Sequence, residues 1–74
     1  MTRGSRAIFG ARLSALLRAH KISQESLARR MNVSAHAVRG WCHGNVVPDP
    51  LTLAELAAML GVPVDFLFRR PGGS

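Results

Sequence analysis

Apolar positions recur at helical spacing in five stretches of the chain, and no run of alternating β-branched residues bounded by turns marks a strand. Phe9, Leu13, Leu16 and Leu17 fall at i, i+4, i+7 and i+8 and predict a first helix from about Ser5 to His20. Ser23 suits the N-cap of a second helix, with Glu25 in its first turn, where a carboxylate meets the positive end of the helix dipole. The inward face of that helix is Leu27, Ala28 and Met31, and Asn32 accepts the left-handed conformation that ends it. Ser34 caps a third helix running to about His43, with Val38 and Trp41 inward and Gly44 as its stop. After a loop from Asn45, the pair Asp49-Pro50 reads as cap and first helical residue. Leu53, Leu56, Ala57 and Leu60 line the fourth helix, and Gly61 terminates it. Pro63 opens a last short helix through Phe66 and Leu67, which close the core, with Met31 and Met59 as filler.

Five helices on short loops predict a compact all-α fold, one domain over residues 1–70 with 71–74 as a frayed tail. The length of 74 residues leaves room for one small core and little else. A single cysteine excludes a disulfide-stapled secreted scaffold. No apolar run is long enough to span a bilayer, and Arg12 interrupts the only stretch resembling a signal peptide, so the expected setting is cytoplasmic.

Charge sharpens the picture. The net charge is +6, but residues 1–44 hold eight basic side chains against Glu25 alone, a net of +7, while residues 45–74 sum to −1. A basic half points to a polyanion, either nucleic acid or an anionic membrane surface, against the plainer reading of solvated helix faces. Nine of the ten cations are arginine, which suits phosphate and base-edge contacts. His20, His36, Cys42 and His43 lack any ligand spacing of the C-x-x-C or H-x-x-x-H kind, so no metal and no other cofactor is expected. The four carboxylates are scattered and no nucleophile has a base at usable spacing, so catalysis has no support.

The informative segment is SQESLARRMNVSAHAVRGW at 23–41. It has the parts of two helices crossing steeply over a tight turn: small Ala28 at the approach, Asn32 in the turn, and Leu27, Met31, Val33, Val38 and Trp41 beneath. The outward face of the second of these helices is Ser34, Ala35, His36, Arg39 and Gly40. This segment and PLTLAELAAMLGVPVDFLF at 50–68 resemble the lambda-repressor/Cro-like (Xre-type) helix-turn-helix family, over Phe9 to Phe68.

The resemblance implies a transcriptional regulator that docks its third helix in the major groove of a double-stranded DNA operator, usually as a two-fold homodimer with half-sites about 34 Å apart. It implies base contacts from Ser34, Ala35, His36, Arg39 and Gly40, and backbone contacts from Gln24, His43 and Asn45. Arg12 and Arg18 are the further candidates for phosphate. Val64, Phe66 and Phe68 are expected at the dimer contact. Arg3 and Arg6 are either an arm on DNA or a disordered end. Ala35 and Gly40 offer no hydrogen bond where relatives often place glutamine or arginine, so readout rests on few residues. Glycine within the third helix costs about 0.5–1 kcal/mol relative to alanine, and a close approach to DNA accounts for Gly40. The Arg–Glu pair common in the family is replaced by Leu17 and Cys42, an apolar swap of both partners. No small-molecule pocket is expected. Two alternatives remain on the sequence alone: an antitoxin-type protein-interaction module on the same fold, or the DNA-binding domain of a longer repressor, for which Gly72-Gly73-Ser74 suits a linker start.

Overall fold

A computed structural model describes residues 3–69, so the tail at 71–74 lies outside the described residues, as does the side chain of Arg3. Four α-helices follow one another: α1 Arg3–Ala19, α2 Gln24–Met31, α3 Ala35–Cys42 and α4 Pro50–Leu60. The expected fifth helix, Val64–Phe68, is a 3-10 helix instead. Five residues leave almost no i→i+4 ladder to close, so the chain winds into the tighter i→i+3 form. Phe66 N–H accordingly bonds the Pro63 carbonyl at 3.0 Å.

Helices α2, α3 and α4 each begin where a short polar side chain meets an orphan backbone donor. The Ser23 hydroxyl accepts from Ser26 N–H at 3.0 Å, and Ser34 from Ala37 N–H at 3.0 Å. Asp49 accepts from both the N–H and the hydroxyl of Thr52. These two hydrogen bonds stabilise the charged form of Asp49 and hold its carboxyl below the usual carboxylate range. Asn32 adopts the left-handed conformation (φ 58°) that turns α2 into α3, and Val33 N–H closes the turn on the Ala28 carbonyl at 2.9 Å.

The core is a single cluster reaching from Phe9 and Leu13 of α1 through Leu27, Val38 and Trp41 to Leu56, Leu60 and Leu67. Among the described residues no buried side chain of this core is polar or charged. Leu17 is buried at 4% exposure, and Cys42 packs against the cluster half-buried. No described helix is long and apolar enough to cross a membrane.

Helix α1 meets the C-terminal end of α3 at glycine. A Cβ on Gly10 would stand 2.7 Å from the carbonyl oxygens of both Trp41 and Cys42, closer than any real contact. Gly44 (φ 75°) faces back onto α1, its Cβ direction 3.1 Å from the Ala7 Cα. The two backbones therefore touch without side chains between them. Ala28 is the small residue that the α2–α3 segment announces. Gly10 does the comparable work across a longer reach of chain.

The closing 3-10 helix lies along α1. Phe68 stacks on Phe9 with ring centroids 5.6 Å apart and planes at 29°. The Arg12 guanidinium covers Phe66, and Arg12 Nε–H donates to the Arg69 carbonyl at 3.0 Å.

Candidate nucleic-acid interface

The caps decide how α2 and α3 present themselves. With Ser23 and Ser34 extended and Asn32 left-handed, α3 leaves the turn with Val38 and Trp41 inward. His36, Arg39 and His43 then lie on its exposed side, as does Ser34 at its start. Ala35 is half-buried against the core. The Ser34 oxygen accepts from Ala37 N–H, which leaves its hydroxyl proton for an outside acceptor and one lone pair for a further donor.

Five cations of these three helices and their turns are open to solvent: Arg18 and Lys21 at the end of α1, Arg29 and Arg30 at the end of α2, and Arg39 on α3. Lys21 sits in a left-handed turn (φ 56°) between α1 and α2. Arg29, Arg30 and Lys21 are cations that the spacing argument passes over, because motif positions on α3 draw the attention while exposure ranks the charges. Asn45 follows α3 exposed, its N–H bonded to the Gly40 carbonyl at 3.0 Å.

Several expected contacts are placed differently. Gln24 stands at the start of α2 as anticipated but is half-buried, and its side chain hydrogen-bonds the Cys42 thiol together with that of Ser14. Burial pushes the Cys42 thiol above its ordinary value, and those two hydrogen bonds pull it back only in part.

Arg12, a phosphate candidate on sequence, is turned away onto Phe66 and the Arg69 carbonyl. An aromatic face and the carbonyl that follows the 3-10 helix hold a guanidinium well. Arg6 is neither an arm nor a loose end. It belongs to the N-terminal part of α1, with its side chain partly buried.

Gly40 is also reinterpreted. Its Cβ direction points at Val46 Cγ1, 3.3 Å away, so the missing side chain seats the loop after α3. Of the three expected dimer residues, Phe66 and Phe68 are engaged with α1, and only Val64, at 39% exposure, is an open apolar side chain. Among the described residues, Leu51 and Val46 are the other exposed large apolar residues, which the helix pattern leaves unassigned.

Comparison with known proteins agrees with this geometry. A helix-turn-helix family model matches residues 13–67, and the chain belongs to this lambda-repressor/Cro-like (Xre-type) family. Among solved structures, the restriction-modification controller protein C.AhdI from Aeromonas hydrophila is 30% identical with a TM-score of 0.76, over 85% of this chain and 96% of that one. The DNA-binding domain of BldD is 27% identical with a TM-score of 0.78, over 93% and 100%. The SOS-response transcriptional repressor LexA from Eubacterium rectale reaches a TM-score of 0.85 at 22% identity, over 92% of this chain and 72% of that one, and shows the shared fold alone. No curated protein matches the sequence.

Proposed function

We propose that this chain is a transcriptional regulator that binds double-stranded DNA by laying α3 in the major groove of an operator. The observation that carries this reading is the capped α2–turn–α3 unit with His36 and Arg39 on its exposed side and uncompensated arginines around it. His36 sits in the first turn of α3 and Arg39 one turn further, where side chains reach base edges. Arginine pairs in bidentate fashion with guanine O6 and N7, so Arg39 reads sequence, supported by His36 and by the hydroxyl proton of Ser34. Ala35 contributes apolar contact to a thymine methyl. Arg18, His43 and Asn45 hold the phosphate backbone and set the register without reading bases.

The regulator acts as a two-fold homodimer on DNA, in the manner of a repressor or controller, because one helix-turn-helix contacts too few base pairs to be specific. Val64 is the apolar residue on the closing 3-10 helix available to that contact. The likeness to a controller protein and to a DNA-binding domain supports this reading.

Selection of bound sequences from random duplexes, followed by titration of the enriched operator and a scrambled duplex across salt concentrations, tests it. A palindromic site emerges if the reading holds, and Arg39→Ala loses preference for it while retaining most binding to the scramble. Failure to enrich any duplex sequence overturns the proposal. A uniform loss for Arg39→Ala moves that residue to the backbone and leaves His36 to read the site.

A further inference from the structure

Between the N-terminal part of α1 and the segment joining α3 to α4 lies a cleft of about 350 Å³. Its walls are apolar, built from Val46, Val47, Pro48 and Leu53, and its polar groups come from Arg6 and Asn45. The size falls within the range of small-molecule sites, and an apolar lining with a few convergent polar groups is their usual chemistry.

Arg6 is the residue that gives the cleft a sign. Its backbone carbonyl lies against Gly44, 3.3 Å from where a Cβ would stand, so the close α1–α3 packing fixes the base of the side chain. The Nε–H is buried and finds no hydrogen-bond acceptor among the described residues. No described carboxylate forms an ion pair with the guanidinium either. Asp49, in the loop between Pro48 and Pro50, already accepts the Thr52 hydroxyl at 2.6 Å and the Thr52 N–H at 3.3 Å as the cap of α4. A buried guanidinium N–H without an acceptor is costly, and an anion held beside Arg6 in the cleft offsets that cost.

We propose that this cleft binds a small anion with an apolar body: a carboxylate on a compact hydrocarbon, its charge against Arg6 and its hydrocarbon against Val46, Val47, Pro48 and Leu53. A bare phosphate matches the charge but not the walls, which offer it no further donors beyond Asn45. The site stands independently of whether α3 reads DNA.

The test titrates the full chain with cyclohexanecarboxylate, its uncharged isostere cyclohexanecarboxamide, and inorganic phosphate, followed by amide and arginine Hε NMR shifts. Saturable shifts confined to Arg6, Val46, Val47 and Leu53 are expected. The carboxylate binds about tenfold more tightly than the carboxamide, and Arg6→Gln removes that advantage while leaving carboxamide binding unchanged. Val47→Asp, which puts a carboxylate inside the cleft, weakens the carboxylate selectively and serves as the second variant should Arg6→Gln fail to fold. Equal affinity for acid and amide overturns the proposal, as do unsaturable shifts spread over the basic face. Phosphate matching the carboxylate makes the cleft a bare anion site and overturns it too. So do shifts at these residues on raising protein concentration alone, which give the cleft to a second copy of the chain.

Discussion

The guanidinium carbon of Arg12 lies 4.2 Å from the centroid of the Phe66 ring, and Arg12 Nε–H donates to the Arg69 carbonyl at 3.0 Å. One side chain thereby fastens the closing 3-10 helix to α1. Arg12→Ala is expected to destabilise the fold by about 1–2 kcal/mol, the loss of a cation–π contact and a hydrogen bond to a charged group. On the proposed reading it leaves the salt dependence of DNA binding unchanged, because the guanidinium is engaged with Phe66 and the Arg69 carbonyl. Arg18→Ala, by contrast, lowers the salt slope by about one if Arg18 meets a phosphate. Thermal melts of the first variant and salt titrations of both check the assignment.

Two glycines predict opposite outcomes for the same substitution. Gly10→Ala drives a Cβ to 2.7 Å from two backbone carbonyl oxygens, neither of which can move without parting α1 from α3. The gain in helix propensity is outweighed, and a net loss of about 2–3 kcal/mol is expected. Gly40→Ala meets only Val46 Cγ1 at 3.3 Å, the end of an exposed side chain that can rotate away. It is expected to stabilise by about 0.5 kcal/mol. Denaturant titration of both proteins measures the contrast. A destabilised Gly40→Ala shows that the Val46 seat is rigid.

Leu17 and Cys42 form a third test. Leu17→Arg alone buries a charge at a position only 4% exposed and is expected to cost about 3 kcal/mol. Adding Cys42→Glu supplies a counter-charge from α3 and recovers part of the loss. If the double variant is less stable than Leu17→Arg alone, the two side chains do not share one site.

Acid should weaken the start of α4. The Asp49 carboxyl is held below its ordinary value by the Thr52 hydroxyl and N–H, so its contribution is complete above the ordinary carboxylate pKa and fades as pH falls through the lowered one. Melting temperature should fall on acidification below about pH 4, the ordinary carboxylate range. Asp49→Asn, a cap of similar quality without the titration, removes this part of the decline and remains folded at neutral pH. Melts of both proteins across that range decide it.

The helices and their stops were legible along the chain because the forces that set them act over four residues or fewer. Ser23, Ser34 and Asp49 each cap a donor three residues on, and Asn32 and Gly61 each supply the left-handed residue that ends a helix. The apolar spacing of Phe9, Leu13, Leu27, Val38 and Leu56 likewise identified the core, since 3.6-residue periodicity needs no knowledge of the partner face. The exposed positions of α3 follow from the same register.

What the pattern could not decide depends on groups far apart in the chain. Arg12 and Arg69 are 57 residues apart, and nothing local distinguishes an arginine that meets a phosphate from one that caps its own C-terminal turn. The 3-10 geometry of Val64–Phe68, the stacking of Phe68 on Phe9, the contact of Gly10 with α3 and the orphaned Nε of Arg6 were likewise settled only by packing. Periodicity assigns each residue to a face of its own helix, but the direction of a long cation or the need for a bare backbone is set by what the neighbouring element brings against it.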